Sequence, residues 1–110
     1  MENNIQLWLA DIKRSITEIY DFLPADNEFP SFQKDLKGRK AIERNLEIIG
    51  EAINRIVKAD PALQITNARR IINTRNRIIH GYDTVSEDII WAIVINELPA
   101  LEKEIEKLLK

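Results

Sequence analysis

Apolar residues return every three or four positions along almost the whole chain. In the first segment they fall at Ile5, Trp8, Leu9, Ile12, Ile16, Ile19, Tyr20 and Leu23, which draws one stripe down a helix. Pro24 ends that helix, and 24–33 reads as a loop with room for a short helical turn. A second helix runs from about Lys34 or Gly38 to Ala59, with Ile42, Leu46, Ile49, Ile53 and Ile56 in alternating steps of four and three. This heptad seam suits packing along another helix at a shallow angle. Gly50 sits inside the seam at a cost of about 1 kcal/mol against alanine, which points to close approach of another backbone. Asp60-Pro61 closes the helix. A third helix is predicted from about Thr66 to His80, with Gly81 as its terminator. Ser86 is a good cap for a fourth, with Glu87 and Asp88 favourably placed in its first turn. The fourth carries Ile89, Ile90, Ile93, Val94, Leu98, Leu101, Ile105, Leu108 and Leu109, and Pro99 should kink it or split it in two. The expected fold is all-α: an antiparallel up-and-down bundle of four to five helices, one domain over 1–110.

Composition narrows the partners. A chain of 110 residues buries a modest core and gains from covering a face with a second copy, so a homodimer is expected. The net charge of -2 argues against coating nucleic acid by bulk charge. With no cysteine there is no disulfide framework and no thiolate nucleophile or thiolate metal site, which fits a reducing cytoplasm. The N-terminus lacks the basic and apolar regions of a signal peptide, and the longest apolar run, Ile89 to Ile95, is far too short to span a membrane.

Against this acidic background, Arg69 to Asp83 (RRIINTRNRIIHGYD) holds four arginines and one aspartate, a local charge of +3. Its isoleucines pair as Ile71–Ile72 and Ile78–Ile79, and the stripe position between the pairs is Arg75. An arginine where the core wants an isoleucine must meet a carboxylate, a phosphate or a wet cleft. His80 is the only histidine, and Asn76 lies one turn before it. It is therefore the one side chain whose ordinary pKa lies near neutrality. A guanidinium fork matched to phosphate and an imidazole base are the minimal parts for metal-free RNA cleavage, with no cofactor. Residues 75 and 80 stand about 140° apart on an ideal helix, at about 100° per residue. Convergence needs distortion near Gly81 or a second protomer, which predicts a groove lined by Arg75, Asn76, His80 and Tyr82 from two chains.

Each of these residues also has a plain structural role open to it. Arg75 fits an internal ion pair with Glu47 or Glu51 of the second helix. His80 fits a cap stabilised by the helix dipole. Tyr82 could staple its loop to the bundle, and Arg69, Arg70 and Arg77 suit a solvated face or an RNA-binding one.

RNRIIHGY (75–82) resembles the HEPN signature Arg-polar-x3-His, extended by x-Tyr. ERNLEIIGEA (43–52) is similar to the second-helix hallmark of the HepT-like family. The run from Arg75 to Ile105 resembles that family's motif and last helix almost residue for residue, and DIKRSITEIYDFL (11–23) also fits. The resemblance covers about Ile5 to Leu109. It implies a homodimeric HEPN bundle acting as the toxin of a HepT/MntA toxin–antitoxin pair, a metal-independent endoribonuclease for tRNA or mRNA. It further implies catalysis by Arg75, Asn76 and His80. Its antitoxin would be an MntA-like minimal nucleotidyltransferase that transfers AMP to Tyr82, blocking the groove with negative charge. Gly81 would keep Tyr82 accessible, and Glu51 would support an arginine. The alternative is a non-catalytic subunit that binds substrate for a nucleotidyltransferase.

Overall fold

The computed structural model describes residues 2–79 and 87–110. In chain order the helices are α1 (Glu2–Phe22), α2 (Phe29–Lys34), α3 (Leu36–Ala59), α4 (Ala68–Ile79), α5 (Glu87–Ala92) and α6 (Leu98–Leu108). A π-helical segment, Ile93–Glu97, joins the last two. The described residues contain no strand.

Local chemistry sets the turns. In the connection after α1, Asp26 accepts from the Glu28 backbone N–H at 3.0 Å and from the Ser31 hydroxyl at 2.6 Å. The Ser31 bond, ahead of the backbone bond, holds the Asp26 carboxyl below its usual range. The expected helical turn in 24–33 is α2, which starts at Phe29 with Pro30 in its first turn. Asp35 then caps α3 by accepting from the Gly38 N–H at 3.0 Å. Asn67, with φ of 62°, takes the left-handed conformation just before α4.

The four long helical runs alternate in direction. The start of α3 lies beside the end of α1, since a Cβ on Gly38 would be 3.2 Å from the Phe22 carbonyl oxygen. α4 returns along α3, and the Arg39–Glu87 ion pair ties the start of α5 to the start of α3. The end of α6 comes back to the beginning of α1, where the Gln6 amide donates to the Leu108 carbonyl at 3.1 Å. Lys13 of α1 reaches Glu106 and Glu102 on α6. Phe32 of α2 packs on Trp91 of α5 with ring centroids 5.1 Å apart, stapling the short helix to the bundle. None of the described helices is long and apolar enough to cross a membrane.

The core is continuous and dominated by isoleucine, with α3 between α1 and α4 at its centre. The heptad residues Ile42, Leu46, Ile49, Ile53 and Ile56 are all buried at 1% exposure or less. Their burial lies inside one chain, against α1 and α4. A 3.5-residue period marks a face that wants a partner helix, and neighbouring helices of the same chain supply it.

Pro99 splits the last helix by way of the π-helical segment. The Leu98 N–H bonds the Ile93 carbonyl, five residues back. The widened turn accommodates the missing proline N–H and moves the preceding carbonyls away from its ring.

Candidate active site

α4 carries the candidate chemistry on two unlike faces. Ile71 and Thr74 are buried, and the Thr74 hydroxyl donates to the Arg70 carbonyl at 2.9 Å. Arg75 sits one step on, directly over Gly50 of α3. A Cβ added at Gly50 would lie 2.3 Å from the Arg75 Cβ and 3.2 Å from the Ile71 carbonyl oxygen. The glycine therefore lets α4 touch the backbone of α3, as its place in the seam suggested, and that contact fixes where the arginine begins.

From this anchor the Arg75 guanidinium reaches the next residue of α3, Glu51, through Nη2. Its Nη1 donates to the Asn76 side-chain oxygen at 2.7 Å. The second Glu51 oxygen accepts from Arg55 Nε at 3.1 Å. Of the two carboxylates open to Arg75 on sequence grounds, Glu51 is thus its partner, while Glu47 pairs with Arg44 at 3.3 Å. The Arg75 side chain is 22% exposed and Glu51 34%, so the pair borders water. A guanidinium has five N–H donors. Among the described residues Arg75 commits two of them, which leaves donors for an anion approaching from the open side.

That open side is a cavity of about 250 Å³ between α1, α3 and α4. Trp8 and Asp11 of α1 line it on one side and Arg44, Glu47, Glu51 and Arg55 of α3 on another, and Arg75 of α4 lines it too. Trp8, Asp11, Arg44 and Arg55 are functional candidates that the sequence did not single out. The one available signal was a polar row at 44, 47, 51 and 55, running down α3 beside its buried seam.

Arg69, Arg70 and Arg77 are exposed on another face of α4, where they line a separate open groove with Asn73. Arg70 is held there by Glu97 at 3.0 Å, and that carboxylate is only 10% exposed. The structure thus brings together Arg75, Asn76 and Glu51, and it sets the other three arginines apart from them. His80, Gly81 and Tyr82 lie outside the described residues. Among the described residues, no group of three or more His, Asp or Glu side chains is placed to hold a metal ion.

Residues 12–108 match the model of the "Ribonuclease HepT-like" family. The chain belongs to the HepT-like ribonuclease family. A relative from Methanocaldococcus jannaschii, "Putative RNase MJ0127", is 35% identical over 113 aligned positions, covering 99% of this chain and 90% of its own. "Probable ribonuclease HepT" of Thermococcus cleftensis is 32% identical over 111 positions and the match spans all of both chains. The search of solved structures gave no match. Membership makes RNA the substrate class and identifies the chain as a HepT-like ribonuclease.

Proposed function

We propose that this HepT-like chain is a metal-independent endoribonuclease toxin that cuts tRNA or mRNA in the cytoplasm, and that AMP added to Tyr82 silences it. The observation that carries this reading is the state of Arg75. It occupies a core-stripe position, is held by Glu51 and Asn76, and lines an open cavity while committing two of its donors among the described residues. A purely structural arginine has no need of that opening.

In the proposed reaction Arg75 grips the scissile phosphate by charge-assisted hydrogen bonds. The His80 imidazole takes the proton of the adjacent ribose 2'-OH, and that oxygen attacks phosphorus. The bond to the 5'-oxygen breaks, and the leaving oxygen takes a proton. The products are a 2',3'-cyclic phosphate and a 5'-hydroxyl. Arg75 stabilises the charge that builds on the phosphorane oxygens, and Asn76 holds Arg75 in line. Arg69, Arg70 and Arg77 contact flanking phosphates. The angular separation of positions 75 and 80 supports a homodimer, with the reacting groups meeting across two protomers.

Regulation follows from charge. A minimal nucleotidyltransferase antitoxin of the MntA kind transfers AMP from ATP: the Tyr82 oxygen attacks the α-phosphorus and pyrophosphate leaves. The phosphodiester so formed places negative charge where the RNA backbone must lie. Coexpression with a neighbouring nucleotidyltransferase should raise the intact mass by whole AMP units, and Tyr82→Phe should prevent the rise. Purified chain without the modification should cut RNA in EDTA, and modified chain should not.

The non-catalytic alternative, a substrate-binding subunit, draws on the Arg75–Glu51 pair, since one carboxylate suffices to neutralise a half-buried arginine. Unmodified, folded protein that leaves RNA intact in this assay favours that alternative.

A further inference from the structure

The cavity beside Arg75 is electrically balanced. Asp11, Glu47 and Glu51 face Arg44, Arg55 and Arg75 around it. Three charges of each sign give little net attraction for a second phosphate. Donors and acceptors together suit a group that carries both on one edge, and Trp8 adds an aromatic wall at one side. The volume, about 250 Å³, is just under the roughly 300 Å³ at which small-molecule sites begin, which suits one flat ring system better than a whole nucleotide. Unpaired RNA bases are read in this way, by stacking on an aromatic side chain and by hydrogen bonds along the Watson–Crick edge.

The carboxylates differ in how much they have left to offer. Glu51 already accepts from two arginines, Arg55 and Arg75. Asp11 pairs with Arg14 at 3.2 Å. Glu47 is 20% exposed, and among the described residues its one ion-pair partner is Arg44, through a single oxygen at 3.3 Å. Among the described residues its other oxygen takes no hydrogen bond, and Glu47 and Arg44 both line the cavity. Guanine alone among the four RNA bases offers two neighbouring N–H donors, N1–H and N2–H, on its Watson–Crick edge, with the O6 acceptor beside them. A carboxylate takes both donors at once, in a charge-assisted pair.

We propose that this cavity is a guanine subsite of the RNA-binding surface, with Trp8 stacking on the base, Glu47 accepting from N1–H and N2–H, and Arg44 donating to O6. Arg75 lines the same cavity, so a phosphate held by it has its neighbouring base within reach of the cavity. The subsite deepens the ribonuclease reading and gives it a sequence preference: cleavage next to an unpaired guanosine. It rests on that reading only for its position along the RNA, because the base contacts stand without any reaction.

Two measurements on the full chain test the subsite separately from the reaction. The first is equilibrium dialysis against guanosine, adenosine, cytidine and uridine 5'-monophosphates. The guanosine nucleotide should bind at least tenfold more tightly than the others. Glu47→Gln should remove most of that margin, because the carboxamide presents one acceptor where two are needed. Trp8→Ala should weaken all four nucleotides by roughly tenfold and Trp8→Phe much less, as loss of stacking predicts. If Trp8→Ala does not fold, the partly exposed, nearly isosteric Glu47→Gln is decisive on its own. The second is cleavage-site mapping on an RNA of random sequence in EDTA. Cuts should cluster beside guanosine in the wild type and lose that bias in Glu47→Gln.

Equal binding of the four nucleotides, or full guanosine preference retained in Glu47→Gln, overturns the subsite even if the RNA is cut. Selective binding of the guanosine nucleotide that depends on Glu47, with no cleavage of RNA, upholds the subsite and removes the ribonuclease mechanism instead.

Discussion

Arg75→Ala is expected to lower RNA cleavage by about two to three orders of magnitude, the usual cost of deleting one preorganised donor to a charged transition state. Stability should change far less. Removing the side chain leaves Glu51 with Arg55 still bound at 3.1 Å and with a third of its surface in water, so no isolated buried charge is created. The methylene stem of Arg75 loses its contact with α3 at Gly50, a loss of about 1 kcal/mol at the usual value for a buried methylene. Activity should therefore fall while the thermal transition shifts by only a few degrees. Arg75→Lys is expected to recover little, since an ammonium on a flexible stem cannot hold Glu51, Asn76 and a phosphate through one planar fork. Cleavage measured beside a melting curve for each variant checks the point. Unaltered cleavage by folded Arg75→Ala would leave the arginine with its ion-pair role only.

Gly50→Ala should act on both stability and activity. The added methyl would have to stand 2.3 Å from the Arg75 Cβ and 3.2 Å from a backbone oxygen of α4, so the helix itself must shift. Overpacking of this kind costs about 1–3 kcal/mol, offset by the roughly 1 kcal/mol that alanine gains over glycine inside a helix. The net loss is small, but the displaced element carries Arg75, the proposed phosphate-binding arginine. A misplacement of about 1 Å is enough to cost on the order of a hundredfold in rate. The expected signature is a large drop in cleavage with a modest drop in melting temperature. Gly38→Ala is the matched control: its methyl stands just as far from a backbone oxygen, that of Phe22 at 3.2 Å, but its tightest contact is the Asp35 side chain, which can swing away at the expense of one helix cap, and Arg75 is untouched. If Gly50→Ala cuts RNA as well as Gly38→Ala does, the close approach of the two helices has no bearing on the site.

Much of the bundle could be read from residue spacing. Apolar stripes located the long helices, the proline at 99 located the break in the last one, and the glycine at 50 located the helix contact that seats Arg75. Spacing failed where the answer depended on which neighbour arrives. The seam of α3 was a buried face in either case, and only the fold shows that α1 and α4 of the same chain cover it. Glu47 and Glu51 lie on the same face of one helix, so either suited Arg75. The register at Gly50 decides, because it places the next residue, Glu51, within reach. The hold of Glu97 on Arg70 is hidden from spacing for a related reason. Glu97 ends a π-helical turn, and an α-helical period carried through that turn assigns the wrong direction to the residues after it. Trp8 belongs to the stripe of α1 by spacing, yet it lines the cavity, since a stripe says which side of a helix is apolar and not how deeply each position is covered.

The most direct test is the chemistry of the new RNA ends. Purified, unmodified chain is incubated with RNA in EDTA, and the fragments are analysed for their 3'-termini. Proton removal from the 2'-OH predicts 2',3'-cyclic phosphate ends, disappearing in His80→Ala and when a 2'-deoxy nucleotide replaces the one at the cut. Fragments ending in a 3'-hydroxyl, or cyclic phosphate ends that persist undiminished in His80→Ala, would contradict the mechanism.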